Sequence, residues 1–179
     1  MKQELARTIL AFWFSRGWDE WWKPNPAFDT EIRDQFLKLW EEERENVPDH
    51  FLGGPDAALA AIILFDQFPR NMFRGHADQF STDPLALAIA KGAVERGYDD
   101  GMTSEGRGFL YMPFEHSESL ADQRQSLLLF TALGSAEHLD YAKKHYQVIE
   151  KYGRFPHRNA MLGRKPTALE AAAGEVVPW

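Results

Sequence analysis

Asn25-Pro26-Ala27-Phe28-Asp29-Thr30-Glu31-Ile32-Arg33-Asp34-Gln35-Phe36-Leu37-Lys38-Leu39-Trp40 is the stretch that decides the fold. Phe28, Ile32, Phe36, Leu39 and Trp40 recur at spacings of three and four, so they share one side of a helix. Asn25 offers an N-cap oxygen, and Pro26, with its fixed φ and missing N–H, suits the first helical position. The same grammar continues in both directions. Leu5 to Phe14 has helical composition, and Arg16-Gly17-Trp18 reads as a connector. Gly54-Pro55 opens an apolar helix to about Phe68. Thr82 or Asp83 with Pro84 starts another, closed near Gly97. Thr103 to Tyr111 reads as helix ended by Pro113. Ser119 with Asp122 forms an approximate capping box for a helix to Leu133. Ser135 opens a helix that Gly153 stops, and Thr167 with Glu170 caps a last short one. Period-two alternation and hairpin turns between apolar runs are missing. The reading is an all-α protein of helical hairpins without a sheet.

Length and composition narrow the function classes. The chain has 179 residues, 44% of them hydrophobic, so one domain with a sizeable core is expected over residues 1–179. Twenty Lys and Arg stand against 27 Asp and Glu, a net charge of −7, which argues against a nucleic-acid partner. With no cysteine, thiolate catalysis and cysteine-based metal sites are excluded. Ile9 to Phe14 is too short for a signal sequence, and the Ala57 to Phe65 run is half of what a membrane span needs. A cytoplasmic protein with no membrane partner is expected. Phosphate-binding glycine loops, dinucleotide fingerprints, nucleophile elbows and zincin motifs do not occur, and no cofactor is expected.

The candidate chemistry lies in two similar boxes and one polar turn. Phe68-Pro69-Arg70-Asn71-Met72-Phe73-Arg74-Gly75 echoes Phe155-Pro156-His157-Arg158-Asn159-Ala160-Met161-Leu162-Gly163-Arg164. In both, Pro is expected to end the preceding helix, because it pushes the residue before it out of the α region. From Lys151 to Leu169 there are five Lys and Arg and no acid, Arg154 among them. Arginine forks bind carboxylate or phosphate in bidentate fashion, and serve equally in buried ion-pair networks. Between the boxes, Glu115-His116-Ser117-Glu118 packs two carboxylates and an imidazole into one turn. Three readings of it stand. A metal site would need His157 or Asp66 to join. Acid–base chemistry would need His116 or His157 oriented by Glu115 or Glu118. Structurally, Glu118 and Ser119 would cap the next helix. No metal site is assigned. His145, beside the apolar stripe of its helix, reads as a core histidine. Five of the six Trp lie in the first 40 residues and read as core mass or as a ligand groove.

These segments resemble the bacterial family called domain of unknown function 924. The matching residues are Ile9–Phe14, Asp66–Gly75, Thr82–Ala88, Tyr111–Glu118, Gly153–Asn159, Leu162–Arg164 and Thr167. Ser15 stands where Gly is expected. The resemblance implies a tetratricopeptide-like all-helical fold and no activity. The candidate ligand-binding set is Asp66, Arg70, Asn71, Arg74, Glu115, His116, Glu118, Arg154, His157, Arg158, Asn159 and Arg164. The ligand expected is a small anionic group or a peptide end. The alternatives are a metal-independent hydrolase or lyase and a scaffold whose boxes form an ion-pair network. The four arginines at positions 70, 74, 158 and 164 are expected to converge near His116 and Glu118, with Asp66, Glu115, Glu118 or a bound anion between them.

Overall fold

In the structure, a computed structural model, residues 1–174 are described. Helices and turns make up the architecture, and the described residues contain no strand. The chain divides into two compact units, Met1–Pro113 and a second that begins at Phe114.

The first unit holds α1 (Gln3–Phe14), α2 (Trp18–Trp22), α3 (Pro26–Glu43), α4 (Pro55–Ile62), α5 (Phe68–Met72) and α6 (Asp83–Glu95). The α3 stripe behaves as its spacing dictates. Phe28, Ile32, Phe36 and Trp40 are buried, and the Asn25 side chain accepts from the N–H groups of Ala27 and Phe28. Residues 58–69 are buried without interruption, and α1, α3 and α6 pack against this segment. A helix apolar all round can only be a central one. The connector expected around Trp18 is in fact the start of α2.

Pro69 does not end its helix. Ile63–Gln67 forms one π-helical turn between α4 and α5, and Gln67 and Phe68 keep right-handed helical angles. The wider turn absorbs the residue that cannot donate. Pro69 has no N–H for the Phe65 carbonyl four residues back, and the Thr82 hydroxyl donates to that carbonyl at 2.6 Å. Thr82 Oγ1 in turn accepts from Trp40 Nε1 at 3.2 Å. The rule that a residue before Pro leaves the α region is a bias, and burial here overrides it.

Pro113 likewise sits inside α7 (Ser104–His116), which runs three residues past it. The second unit adds α8 (Leu120–Leu133), α9 (Ala136–Tyr152) and α10 (Ala168–Ala173). α8 and α9 pack as a hairpin across Gly134-Ser135, Gly134 taking the left-handed conformation at φ 78°. The Ser119 capping box does not form. Instead the Ser117 hydroxyl donates to Asp122 Oδ2 at 2.8 Å and accepts from the Ser119 N–H. Thr167 and Glu170 do form the expected capping box. Phe155, ahead of Pro156, is extended at φ −88°, ψ 104°, so this second box breaks its helix where the first does not.

Candidate functional site

In the first unit each arginine of the box is closed by a carboxylate. Arg70, on α5, makes a two-pronged pair with Asp83 at the start of α6, at 2.9 and 3.1 Å. The same guanidinium lies 3.4 Å from Asp66, a fully buried carboxylate on the π turn. Arg74 makes a second two-pronged pair with Asp29 of α3, at 2.8 and 2.9 Å, and Asn71 donates to Asp29 at 2.7 Å. Burial pushes the Asp29 carboxyl up, but hydrogen bonds from Arg74 and Asn71 and the charges of Arg74 and Arg33 hold it below the usual range.

The second unit repeats the device. Arg164 grips Glu118 with both terminal nitrogens at 2.7 and 3.0 Å, and donates from Nε to Asn159 at 2.9 Å. Glu118 also accepts the Phe155 N–H at 2.8 Å. It therefore ties the turn after α7 to the box, rather than capping α8. Arg154 holds Glu170 at two distances of 2.7 Å, and Asn159 and the Thr167 N–H complete that carboxylate. The Arg154 hydrogen bonds bring the Glu170 carboxyl down to about 2, against the opposing effect of burial. The acids that close the boxes are thus Asp29, Asp83 and Glu170 as well as the expected Asp66 and Glu118. The three unexpected ones lie far from their arginines in sequence, and spacing alone carries no signal for them.

Glu115 does something else. Its carboxylate meets His145 Nδ1 of α9 at 2.8 Å, and both side chains are largely buried. The carboxylate-oriented imidazole that acid–base chemistry requires is therefore at His145, which sequence periodicity reads as core. Its ring lies 6.2 Å from that of His116 and 5.6 Å from Phe155. The fully buried Phe155 ring also carries His157 at 5.6 Å and the buried Arg158 guanidinium at 4.5 Å. Two imidazoles and one guanidinium are thus gathered around one aromatic side chain, with the third imidazole, His116, beside His145. Among the described residues, no group of three His, Cys, Asp or Glu has the geometry to hold a metal ion.

His157 records the local field. Burial lowers its pKa first, and the charges of Arg158, His145 and Arg164 add to the effect, bringing it to about 4 against the opposing pull of Glu118. The folded protein therefore keeps His157 neutral where the unfolded chain binds a proton. Stability from this group is complete above pH 6.5 and is lost as pH falls through the window down to about 4. Partial exposure screens the charge, so the loss is roughly 1–2 kcal/mol. Denaturant unfolding of wild type and His157→Asn is expected to show that slope in the first protein and a shallower one in the second.

Helices throughout, arginine corners closed by carboxylates and a histidine cluster in the second unit define an all-helical protein with paired polar boxes. The chain belongs to the family of bacterial proteins of unknown function DUF924, whose profile matches residues 9–173. It is 39% identical to the protein of unknown function ATU0120 from Agrobacterium tumefaciens. That likeness covers 95% of this chain and 96% of the other, with a TM-score of 0.87. No curated protein matches. No helix among the described residues is long and apolar enough to cross a membrane.

Proposed function

We propose that the protein is a cytoplasmic, tetratricopeptide-like binding module that takes a small anionic group at the histidine cluster of the second unit. The observation that carries this reading is the gathering of imidazoles and one guanidinium beside the buried Phe155. Arg70, Arg74, Arg154 and Arg164 each hold a carboxylate in a two-pronged pair, so their forks are occupied and act as clamps. His145, His157 and Arg158 lie around Phe155 with His116 beside His145, and burial together with the field of the neighbouring charges keeps a proton off His157. A phosphate or carboxylate placed among them relieves that field and accepts hydrogen bonds from imidazole N–H groups.

The test is calorimetric titration of inorganic phosphate, and separately acetate, into the wild-type chain and the His157→Asn variant. Saturable binding by wild type that His157→Asn loses, with unfolding at pH 7 unchanged, is the expected result. Equal heats for both proteins would remove the reading. A second reading, a metal-independent hydrolase or lyase, rests on the Glu115–His145 pair, because a buried carboxylate holds an imidazole in one orientation, as a general base requires. His145→Asn separates the two: a base is lost with turnover while affinity stays, whereas a ligand-binding imidazole is lost with affinity.

A further inference from the structure

The acidic character of the chain is confined to one part of it. Residues 1–113 hold 12 Lys and Arg against 19 Asp and Glu, which accounts for the whole net charge of −7, while the remainder is balanced. The same first unit exposes its largest aromatic side chains. Trp18 and Trp22, four residues apart on α2, are 45% and 41% exposed. Their rings stand 5.5 Å apart. Most other Trp side chains of this unit are spent inside: Trp13 and Trp40 are buried, and the Trp21 indole N–H donates to the Trp13 carbonyl at 3.1 Å.

One ring of the exposed pair is backed by the core. The Trp22 ring lies flat on Phe109 of α7, with centroids 6.0 Å apart and 12° between planes. Phe109 is buried and takes Trp13, Phe14 and Trp21 edge-on. Trp22 is therefore the outer layer of an aromatic stack anchored in the core. Exposed Glu105 stands four residues before Phe109, on the same side of α7, and helical side chains lean toward the N-terminus. Asp19 lies on α2 between the two Trp and is solvated, its pair with Lys23 being an exposed one of little strength.

A flat indole face backed by carboxylates is the arrangement that receives a cation, since the ring quadrupole and the charges attract in the same direction. The chain already uses that contact internally, with Arg44 over Trp40 at 4.3 Å and Arg16 over Phe12 and Phe28 at 5.1 and 5.2 Å. We infer that the Trp18–Trp22 face, flanked by Asp19 and Glu105, is a docking surface for an arginine-bearing basic segment of a partner protein. The aromatic faces supply affinity and the field of the acidic unit steers the approach. This surface and the histidine cluster share no residue, so either assignment can fail without the other.

The experiment uses the full chain and a short arginine-rich peptide, read by calorimetry and by tryptophan emission, with a glutamate-rich peptide and anionic phospholipid vesicles alongside. Binding of the arginine-rich peptide alone is expected. Trp22→Ala is expected to weaken it about fivefold or more, and Glu105→Gln about twofold to threefold. Trp18→Ala, at the more exposed of the two rings, covers the case in which Trp22→Ala disturbs folding, and is expected to weaken binding about threefold or more. No binding by wild type, equal binding by all three variants, or a tryptophan-dependent preference for vesicles over peptide would overturn the assignment.

Discussion

Arg70→Ala is expected to destabilise the protein by about 3–5 kcal/mol, because it removes the guanidinium that faces the fully buried Asp66 carboxylate. The same change deprives Asp83 of both its hydrogen bonds to Arg70. At this chain length that loss lowers the melting temperature by roughly 10 °C. Arg74→Ala is the matched comparison. Its side chain is 47% exposed, and Asp29 keeps Asn71 as a donor, so about 1 kcal/mol is expected. Arg70→Lys falls between, since an ammonium cannot grip Asp83 with two prongs while facing Asp66. Thermal and urea unfolding of the three variants measure the ranking. A loss under about 1 kcal/mol for Arg70→Ala would mean that Asp66 is satisfied without it.

Thr82→Val is expected to cost about 2–4 kcal/mol although it changes little in size. The hydroxyl gives the Phe65 carbonyl the donor that Pro69 lacks, and accepts from the Trp40 indole. Valine leaves a buried acceptor and a buried donor unpaired, each carrying a desolvation cost of about 1–3 kcal/mol. Thr82→Ser, which keeps the oxygen, is expected to lose much less. The natural reporter is Trp40 emission during urea unfolding. Equal stability of Thr82→Val and wild type would break the account of how a proline is carried inside the most buried helix of the unit.

Those two residues also mark where sequence reading succeeds and where it stops. The α3 stripe, the Asn25 cap and the Thr167–Glu170 box are local, set by partners within four residues, and the structure contains each of them. Pro69 and Pro113 read as helix ends because the local bias of proline is all that spacing reveals. The compensating Thr82 hydroxyl is supplied by a distant segment, and the uniform burial of residues 58–69 outweighs the local preference. The polar boxes were visible as boxes, but their carboxylates came from other elements: Asp29 from α3, Asp83 from α6 and Glu170 from α10. His145 was hidden for the opposite reason. Its place beside an apolar stripe suggests packing, and only the fold brings Glu115 to its ring.

That local field around Phe155 gives the functional reading its sharpest test. The six histidines divide into three in the cluster (His116, His145 and His157) and three elsewhere (His50, His76 and His138), which serve as internal controls. The measurement is the pH titration of all six imidazoles by NMR, without phosphate and with saturating inorganic phosphate. Without phosphate, His157 is expected to titrate near 4. With phosphate bound, the added negative charge is expected to raise that midpoint by about one unit or more and to shift His116 and His145 while leaving the three controls in place. A His157 midpoint that stays where it was, or six imidazoles that respond alike to phosphate, would contradict an anion site in the second unit.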